Sequence, residues 1–456
     1  MPNGLHNKSA LGKKAEKDKS ACTTPKSGLH NFKAAENYIL SIPRFTAKHS
    51  IEETREFLKK IGSPDESMKI IHVAGTNGKG STCAYLDSIL REAGLKTALF
   101  TSPHLVDICE RFRFDGKDMT HEEFLDTFNE VYSYLEFDET GSPKGYHPTY
   151  FEYLFFMAML WFKRKGAEWC VLETGLGGLL DATNSVTKKE AAVIARIGLD
   201  HTEYLGETIP EIAVQKAGII KEGCPVAFND YLPEASKVIR AEAEKKASPK
   251  ILKASPEDIS ICEKSPAGID FLMLSGYYKN TDLSLSTDAL YQLENASLAV
   301  RAIEAAGLCG LVSPEILKRG LKKAFWPGRM EELEPGVFID GAHNPAGIRA
   351  FIESVRADGF EGRRSLLFGV VSDKNFSEML DMLIGSGLFA RLVITPLHSY
   401  RSAALSELEG VLDGYEGLKY EIAESPKAGL EGLKSEENGR IYVAGSLYLV
   451  GEILSL

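Results

Sequence analysis

Short apolar runs alternate with amphipathic segments along most of the chain. The apolar runs predict strands at 69–74, 96–100, 169–173 and 191–197. Between them lie longer segments with helical periodicity, and some begin with a capping-box pair, such as Ser50 with Glu53 and Thr120 with Glu123. Strands that alternate with helices are typical of a parallel sheet covered on both faces. The pattern therefore predicts an α/β fold with a doubly wound parallel sheet.

A second series of strands and helices begins after the segment 325–329, Phe-Trp-Pro-Gly-Arg. Proline followed by glycine cannot continue the preceding helix, so we place a domain boundary here. Further strands are predicted near 337–340, 365–371, 391–395 and 440–444. We therefore expect a smaller, Rossmann-like doubly wound domain over residues 327–456, which faces a larger domain over residues 31–326 across a cleft.

Two segments depart from this alternation. Residues 1–30 are rich in Lys, Ser and Gly and have hardly any large apolar side chains, which predicts a flexible leader. In residues 258–286, Gly, Ser and Asp break short alternating stretches. That pattern predicts antiparallel strands at the edge of a sheet.

The composition narrows the classes of protein. The 456 residues are 44% hydrophobic, which is enough for two or three domains with their own cores. A net charge of -11 argues against a broad nucleic-acid surface but is compatible with small anions that bind together with Mg2+. Seven cysteines stand singly without a Cys-x-x-Cys pair, so neither a disulfide framework nor a zinc site is predicted. No apolar stretch has transmembrane length and no signal peptide is indicated, so we expect a cytoplasmic protein without a membrane partner.

The segment 70–82 places a glycine-rich turn between a predicted strand and a helix predicted from Ser81 to Glu92. Gly75, Gly78 and Gly80 allow a tight bend that turns backbone N–H groups toward one point, and Lys79 adds a full positive charge. The spacing is a variant of the Walker pattern, because Val73 stands where that pattern has its first glycine. We predict that this loop binds phosphate groups. The alternative is a glycine-rich turn with an exposed lysine.

Polar side chains follow three other predicted strands. Ser102, Glu173 and His201 each lie at or just past the C-terminal end of a strand. Converging on the phosphate loop, they can hold one Mg2+, for which the two oxygen donors are natural ligands and the imidazole a less usual one. Taken singly, each has another explanation: a turn residue, a helix-dipole partner and a loop histidine. Their joint placement favours the metal site.

Two further regions carry candidate chemistry. Thr208 and Glu211 form a capping box for a short helix whose last turn contains Lys216. The alternative for Lys216 is a lysine favoured by the helix dipole. Asp340 and His343 leave a predicted strand through a glycine turn and are placed to face the cleft; the alternative is an Asx-type turn with an incidental histidine.

The ordered motifs together resemble the folylpolyglutamate synthase and dihydrofolate synthase family of the Mur ligase group. The resemblance rests on the segments 75–82 (GTNGKGST), 101–105 (TSPHL), 173–178 (ETGLGG), 180–184 (LDATN), 200–201 (DH), 216–219 (KAGI), 327–329 (PGR) and 340–345 (DGAHNP). It runs from about residue 35 to the last residue. The combination is far more specific than any one loop.

The resemblance implies an ATP-dependent amide ligase. A folate or pteroate carboxylate is phosphorylated by ATP, and the amino group of L-glutamate then displaces the phosphate. By similarity, the nucleotide is bound by Gly75, Thr76, Asn77, Gly78, Lys79, Gly80, Ser81, Thr82, Asn295, Arg329 and Asp340. Magnesium is bound by Ser102, Glu173 and His201, and a carbamylated Lys216 holds a second Mg2+. Lys79, Lys216 and His343 are the expected catalytic residues, with His343 also positioning glutamate.

The acceptor side of the site is less clearly defined by the resemblance. Thr149, Leu180, Asp181 and Ala182 resemble positions that line the pterin site. The chain departs from the family at Leu179, where arginine is frequent, and at Thr174, where valine is usual. Whether the enzyme acts on dihydropteroate, on reduced folates or on both is therefore open, and we expect both. The expected partners are these small molecules, acting on a monomer.

Three other interpretations of the function remain. A peptidoglycan-precursor ligase of the wider Mur group usually carries an additional N-terminal domain, for which fewer than 75 residues before the phosphate loop leave little room. A P-loop kinase or nucleotide switch would not need a second domain with Asp340 and His343. A non-catalytic binding module would not need the full set of charged loop residues.

Overall fold

The structure is a computed structural model that describes residues 28–42, 49–399, 401–434 and 439–456. Most of the expected leader, residues 1–27, lies outside the described residues. Residues 28–30 are described, and Leu29 exchanges two hydrogen bonds with the side-chain amide of Asn129, at 2.8 and 3.0 Å. The last residues assigned to the leader are therefore attached to the fold.

The larger sheet has eight strands. They are β1 (Lys69–Ala74), β2 (Thr97–Phe100), β3 (Phe112–Phe114), β4 (Lys117–Asp118), β5 (Trp169–Glu173), β6 (Ala191–Ile194), β7 (Val226–Asn229) and β8 (Ile251–Ala254). Their order is β4-β3-β2-β5-β1-β6-β7-β8. The six strands from β2 to β8 in this order run parallel, and β3 and β4 add an antiparallel edge. The predicted parallel sheet is confirmed, although β6 ends three residues before the expected 197.

In the described part of the chain, ten helices pack against this sheet or against residues 258–286, which follow it. They are α1 (Phe32–Ser41), α2 (Ile51–Lys60), α3 (Lys79–Glu92), α4 (His121–Ser133), α5 (Tyr150–Lys165), α6 (Thr202–Leu205), α7 (Ile209–Ala217), α8 (Pro233–Lys245), α9 (Tyr291–Ala305) and α10 (Pro314–Lys323). Successive strand residues point to opposite faces, so Ile70 packs with the α5 side and Ile71 with the α3 and α9 side. Both faces are thus covered, which explains why the strands read as continuous apolar runs.

Residues 258–286 form a separate antiparallel sheet. Its strands are β9 (Ile259–Ser265), β10 (Gly268–Met273) and β11 (Asp282–Leu285), in the order β11-β10-β9. The expected antiparallel pairing is confirmed, but the expected position at the edge of a larger sheet is wrong. The apolar face of this small sheet packs into the same core as α3 and α9. The small sheet is therefore joined to the larger one through this core and not through strand pairing.

The remaining strands form a six-stranded sheet. They are β12 (Glu331–Glu334), β13 (Val337–Ile339), β14 (Arg364–Phe368), β15 (Arg391–Ile394), β16 (Tyr420–Ile422) and β17 (Arg440–Ala444), in the order β12-β13-β17-β14-β15-β16. The helices are α11 (Pro345–Arg356), α12 (Phe376–Gly385), α13 (Leu405–Leu412), α14 (Pro426–Lys434) and α15 (Leu447–Leu454). Apolar clusters lie on both faces, as in a Rossmann-like fold. We call the part with the eight-stranded sheet the N-terminal unit and the part with the six-stranded sheet the C-terminal unit.

Helix starts follow the local signals closely. The capping boxes expected at Ser50, Thr120 and Thr208 are all formed, and a further one starts α5 at Thr149. The helix after the phosphate loop starts at Lys79, two residues before the expected Ser81. No helix in the described ranges combines the length and apolar character needed to cross a lipid bilayer.

A buried histidine lies in the middle of the larger sheet. His72 on β1 is fully buried, and its Nε2 lies 2.8 Å from Thr183 Oγ1, whose hydroxyl donates to Asp181. Its Nδ1 has no hydrogen-bond partner within the described ranges, as befits the unprotonated nitrogen of a neutral imidazole. Burial, with Lys189 and Lys221 nearby, lowers the pKa of His72 well below 6.5. The folded protein therefore resists protonation at this position.

This burial predicts a stability that depends on pH. The folded-state pKa is below the unfolded one, so the contribution of His72 is present above pH 6.5 and is lost as the pH falls. The free energy of unfolding should fall by up to about 1.4 kcal/mol per pH unit below 6.5 through this group. Urea titrations of wild type and His72→Asn should show a smaller pH dependence in the variant. His30→Asn, at an exposed position, is the control; an equal pH dependence in all three proteins would contradict the assignment.

The contact between α3 and α10 generates a second prediction. A Cβ at Gly320 would lie 2.7 Å from Ile89 Cα, so Gly320→Ala must push the two helices apart. We expect it to lower the free energy of unfolding by about 1–3 kcal/mol. Gly410 lies inside α13 with nothing within 4 Å of such a Cβ, so Gly410→Ala should raise it by about 0.4–1 kcal/mol. Urea titration measures both, and equal signs would refute the close packing.

Candidate active site

A cavity of about 810 Å3 lies between loops of the two units. Its walls include nearly all the residues expected from the sequence: Gly75, Thr76, Asn77, Gly78, Lys79, Gly80, Ser81, Ser102, Thr149, Glu173, Leu180, Asp181, Ala182, His201, Lys216, Asn295, Arg329, Asp340 and His343. Thr82 is the exception. It is fully buried in α3, and its hydroxyl has no hydrogen-bond partner among the described residues. Its side chain is thus part of the core and not of the cavity wall.

The candidate phosphate loop joins β1 to α3 in a tight turn. Gly75 has φ 154° and Gly78 has φ 82°. A Cβ at Gly75 would meet Ala195 Cβ at 2.7 Å, and a Cβ at Gly78 would overlap the side-chain oxygen of Asn295. Both positions therefore require glycine. Because α3 begins at Lys79, the positive end of its dipole and its first unpaired N–H groups lie at the cavity.

Glu173 is a buried carboxylate at the end of β5. Its Oε2 accepts a hydrogen bond from the backbone N–H of Ser102 at 3.0 Å. Burial raises the pKa of Glu173, whereas the charge of Lys79 acts to lower it. A buried carboxylate is most stable when a cation lies close to it. The position of Glu173 between Ser102 and the phosphate loop thus favours cation binding here.

His201 follows β6 and lies at the start of α6 in a left-handed conformation, with φ 50°. Burial, and the charges of Lys374 and Lys79, lower its pKa to about 4, although Asp200 acts in the opposite direction. The imidazole is therefore neutral at physiological pH and has a lone pair available for a metal ion. Ser102 and Glu173 add oxygen donors, so the chemistry of this donor set fits Mg2+.

Lys216 lies in the last turn of α7, and its ammonium group is buried. Its Nζ donates to the carbonyl oxygen of Gly75 at 2.8 Å. Burial and the nearby charge of Lys79 lower the pKa of Lys216 to about 7. A lysine placed only to interact with the helix dipole would be exposed and fully charged. Lys216 instead reaches the phosphate loop with a partly neutral amine.

Asp340 connects the end of β13 with two neighbouring segments. Its Oδ2 accepts hydrogen bonds from the hydroxyl of Tyr291 at 2.6 Å and from the N–H of Met330 at 2.9 Å. Its Oδ1 accepts from the N–H of Ala342 at 2.8 Å. Burial raises the pKa of Asp340, and Arg329 acts to lower it. The carboxylate therefore holds both the segment of Arg329 and the turn of His343 in place at the cavity wall.

His343 lies in the next turn and faces the N-terminal unit. Its Nδ1 is 2.8 Å from the carbonyl oxygen of Gly341, and its Nε2 is 3.8 Å from Asp200 Oδ2. Burial and the charge of Lys374 lower its pKa to about 4. His343 is therefore neutral near pH 7. Because its Nδ1–H donates to the carbonyl oxygen of Gly341, its Nε2 is unprotonated and can accept a hydrogen bond.

Asn295 on α9 lies against the phosphate loop. Its Nδ2 donates to Gln292 Oε1 at 3.0 Å, and Gln292 Nε2 donates to Ser81 Oγ at 3.3 Å. Its side-chain oxygen is directed toward Gly78. A chain of amide hydrogen bonds thus fixes the side of the loop nearest α9.

Residues expected near the acceptor lie on the opposite side of the cavity. Thr149 caps α5 through its bond with Glu152, so its side chain has a structural role as well as a place in the wall. Asp181 Oδ2 accepts from the N–H of Leu176 at 2.8 Å and thereby orders the glycine-rich turn after β5. Leu180 is 56% exposed, an apolar side chain available for contact with a planar ligand.

Sequence reasoning missed several charged groups of the C-terminal unit. Lys374 and Arg401 line the cavity, and Lys374 Nζ lies 2.6 Å from Asp200 Oδ1. Burial acts to raise the pKa of Asp200, but His343 and Lys374 hold it below the usual range. Since His343 is neutral above about pH 4, Lys374 is the charged partner at neutral pH. Lys374 follows the predicted strand 365–371 closely, so polar residues past a strand end would have identified it.

Two family models match the chain. The Mur ligase middle domain matches residues 73–303, and the Mur ligase glutamate ligase domain matches residues 328–447. The dihydrofolate synthase/folylpolyglutamate synthase of Bacillus subtilis is 33% identical over 433 residues, which are 92% of this chain and 98% of that protein. The folylpolyglutamate synthase of Lacticaseibacillus casei is 28% identical over 93% of this chain and 98% of that protein.

Solved structures agree. An Escherichia coli FolC structure in complex with DHPP and ADP has a TM-score of 0.81 and 28% identity, covering 95% of this chain and 98% of that one. A Mycobacterium tuberculosis folylpolyglutamate synthase complexed with ADP has a TM-score of 0.81 and 26% identity, covering 93% of this chain and 97% of that one. The chain therefore belongs to the Mur ligase family and, within it, to the group of folylpolyglutamate and dihydrofolate synthases.

Proposed function

We propose that this protein is an ATP-dependent ligase that joins L-glutamate to the carboxylate of a folate or pteroate. The observation that supports this most strongly is the cavity in which a phosphate loop, buried carboxylates and the loops of a second unit face each other. A simple nucleotide switch needs only the first of these. The second unit adds the polar groups that an incoming amino acid requires.

The reaction proceeds in two displacements. An oxygen of the acceptor carboxylate attacks the γ-phosphorus of ATP, and ADP leaves, which produces an acyl phosphate. The amine of glutamate then attacks the acyl carbon, phosphate leaves, and an amide bond forms. Both reactants of the first step are anions, so the site must neutralise charge. Lys79, the N-terminal end of α3 and the loop N–H groups from Gly78 to Ser81 are placed to do this.

Magnesium would be held by Ser102, Glu173 and His201, and would neutralise charge on the ATP phosphates when bound. On the other side of the loop, Asn295 is proposed to contact the adenine, and Arg329 and Asp340 to complete the nucleotide site. Tyr291 supports this assignment, because its hydroxyl bonds to Asp340 from the helix that also carries Asn295.

Lys216 is proposed to carry a carbamate. An amine must be neutral to react with CO2, and the pKa of Lys216 near 7 leaves a substantial neutral fraction at physiological pH. The carbamate would replace a cation beside Lys79 by an anion. That change would relieve repulsion with Lys79 and provide oxygen donors for a second magnesium ion.

His343 is proposed to position the glutamate amine. Its neutral imidazole lies in the turn held by Asp340, on the side of the cavity that faces Asp200. Lys374 and Arg401 provide positive charge for the two carboxylates of glutamate nearby. On the acceptor side, Thr149, Leu180, Asp181 and Ala182 are proposed to line the pterin site. We assign both activities, dihydrofolate synthase and folylpolyglutamate synthase, to this one cavity.

The same proposal covers the organisation of the chain. Residues 31–326 form the ATP-binding domain and residues 327–456 the glutamate ligase domain. We further propose a cytoplasmic enzyme that acts as a monomer on small molecules. Interaction with nucleic acid is disfavoured by the net charge of -11.

The decisive test is ADP release with Mg2+ and ATP. Dihydropteroate and tetrahydrofolate should each stimulate ADP release, and the stimulation should require L-glutamate. Stimulation with only one acceptor would restrict the enzyme to the corresponding single activity. Release that does not depend on glutamate would contradict the ligase assignment and favour a phosphotransferase.

Replacement of Lys79 tests the phosphate loop. Lys79→Ala should lower kcat by about 10²–10³-fold with either acceptor, because it removes the cation that faces the transferred phosphate. Lys69→Ala is the matched control, since Lys69 is an exposed lysine at the opposite end of β1. Steady-state rates of ADP release measure both. Wild-type turnover by Lys79→Ala would remove the loop from the mechanism.

A further inference from the structure

Asp200 connects the two units with both of its oxygens. Oδ1 accepts from Lys374 Nζ at 2.6 Å and from the N–H of His201 at 3.0 Å. Oδ2 accepts from Asn344 Nδ2 at 3.1 Å and lies 3.8 Å from His343 Nε2. Only His201 belongs to its own unit. The carboxylate thus contacts two separate loops of the C-terminal unit, those after β13 and β14.

The segment that carries Asp200 is also bonded to the phosphate loop. Thr76 Oγ1 donates to the carbonyl oxygen of Gly198 at 3.0 Å and accepts from its N–H at 3.1 Å. The N–H groups of Thr76 and Asn77 donate to the carbonyl oxygen of Arg196 at 2.9 and 3.1 Å. A short segment, residues 196–200, therefore joins the loop at the nucleotide side to the loops of the C-terminal unit.

Lys374 depends on this connection. Its side chain is only 8% exposed, and Asp200 is its ion-pair partner within the described ranges. A buried ammonium group without a counterion is unstable, so removal of the carboxylate favours a different position for Lys374. Since Lys374 lines the cavity beside His343, such a shift changes the part of the site that faces the incoming amine.

We propose that Asp200 is a positioning residue for the glutamate-adding step, and that it acts by holding Lys374 and the turn of His343 and Asn344 against the phosphate-loop side of the cavity. The inference rests on the proposed ligase function. It assigns Asp200 no contact with substrate. It separates the role of Asp200 from that of its neighbour His201, which is proposed to bind magnesium.

The test variant is Asp200→Asn, which keeps the shape of the side chain and removes its charge. We expect the KM for glutamate to rise at least about tenfold and kcat to fall, because Lys374 loses its counterion. The Kd for ADP, measured by calorimetry, should change less than about threefold, since the phosphate loop keeps its own bonds. A purely structural role would lower the Tm without separating glutamate KM from ADP affinity.

The matched control is Asp230→Asn. Asp230 follows β7 as Asp200 follows β6, and it also pairs with a lysine, Lys253, at 3.0 Å. It does not line the cavity. The control should keep the wild-type KM for glutamate, so an increase there would show that any strand-end carboxylate has this effect and would overturn the proposal.

Lys374→Met is a second test of the proposal if Asp200→Asn does not fold. It should reproduce the increase in glutamate KM, and the double variant should be no worse than either single variant, because the two residues act as one unit. Wild-type KM in either single variant would overturn the inference. Absence of glutamate-dependent ADP release in the wild-type protein would instead refute the proposed function, so the two failures are distinguishable.

Discussion

Parallel pairing of β1 with β5 on one side and β6 on the other places three loops at one edge of the larger sheet. The phosphate loop lies in the middle, Glu173 on one side, and Asp200 and His201 on the other. The C-terminal unit repeats the arrangement with β13, β17 and β14, and its loops meet the first set from the opposite side. The cavity exists because two sheets present the C-terminal ends of their strands to each other.

This arrangement buries several ionisable side chains, and their burial determines the chemistry of the site. Lys216, His201 and His343 all have lowered pKa values because they are removed from water and lie near cations. Burial also raises the pKa of Glu173. In such surroundings, each fixed charge acts on a neighbouring ligand more strongly than it would in water. The site is arranged to receive highly charged phosphates and cations, and their binding compensates for the lost hydration.

Most of the fold could be predicted from local signals in the sequence. The capping boxes at Ser50, Thr120 and Thr208 and the apolar strands needed only neighbouring residues to be recognised, and they are present. The phosphate loop was recognisable because glycine is needed there for conformational and steric reasons. Packing between segments that are far apart in the sequence could not be predicted from such signals. The three-stranded sheet packs its apolar face into the core shared with α3, α9 and α10, and no local pattern encodes that packing.

The candidate site shows the same division. Strand ends predicted where Ser102, Glu173, His201 and Asp340 would lie. Glu173 ends β5 and Asp340 directly follows β13, whereas Ser102 and His201 lie in the loops after β2 and β6. The partnership of Asp200 with Lys374, 174 positions apart, depends on how the two units dock. Thr82 illustrates the opposite case: it occupies a motif position, yet the helical turn directs its side chain into the core. Periodicity locates a residue on its element but does not specify its distant neighbours.

One contact between the units joins two neutral side chains. The side-chain amides of Asn77 and Asn344 donate to each other, at 3.1 and 3.0 Å, in the middle of a strongly charged site. Neither amide carries a net charge or titrates between acid and alkaline pH. The strength of this pair is therefore nearly insensitive to pH and ionic strength, and it changes little as negative charge moves from one bound species to the next. The ion pairs around it respond to each of these conditions, so the amide pair is the part of this contact that stays the same when they change.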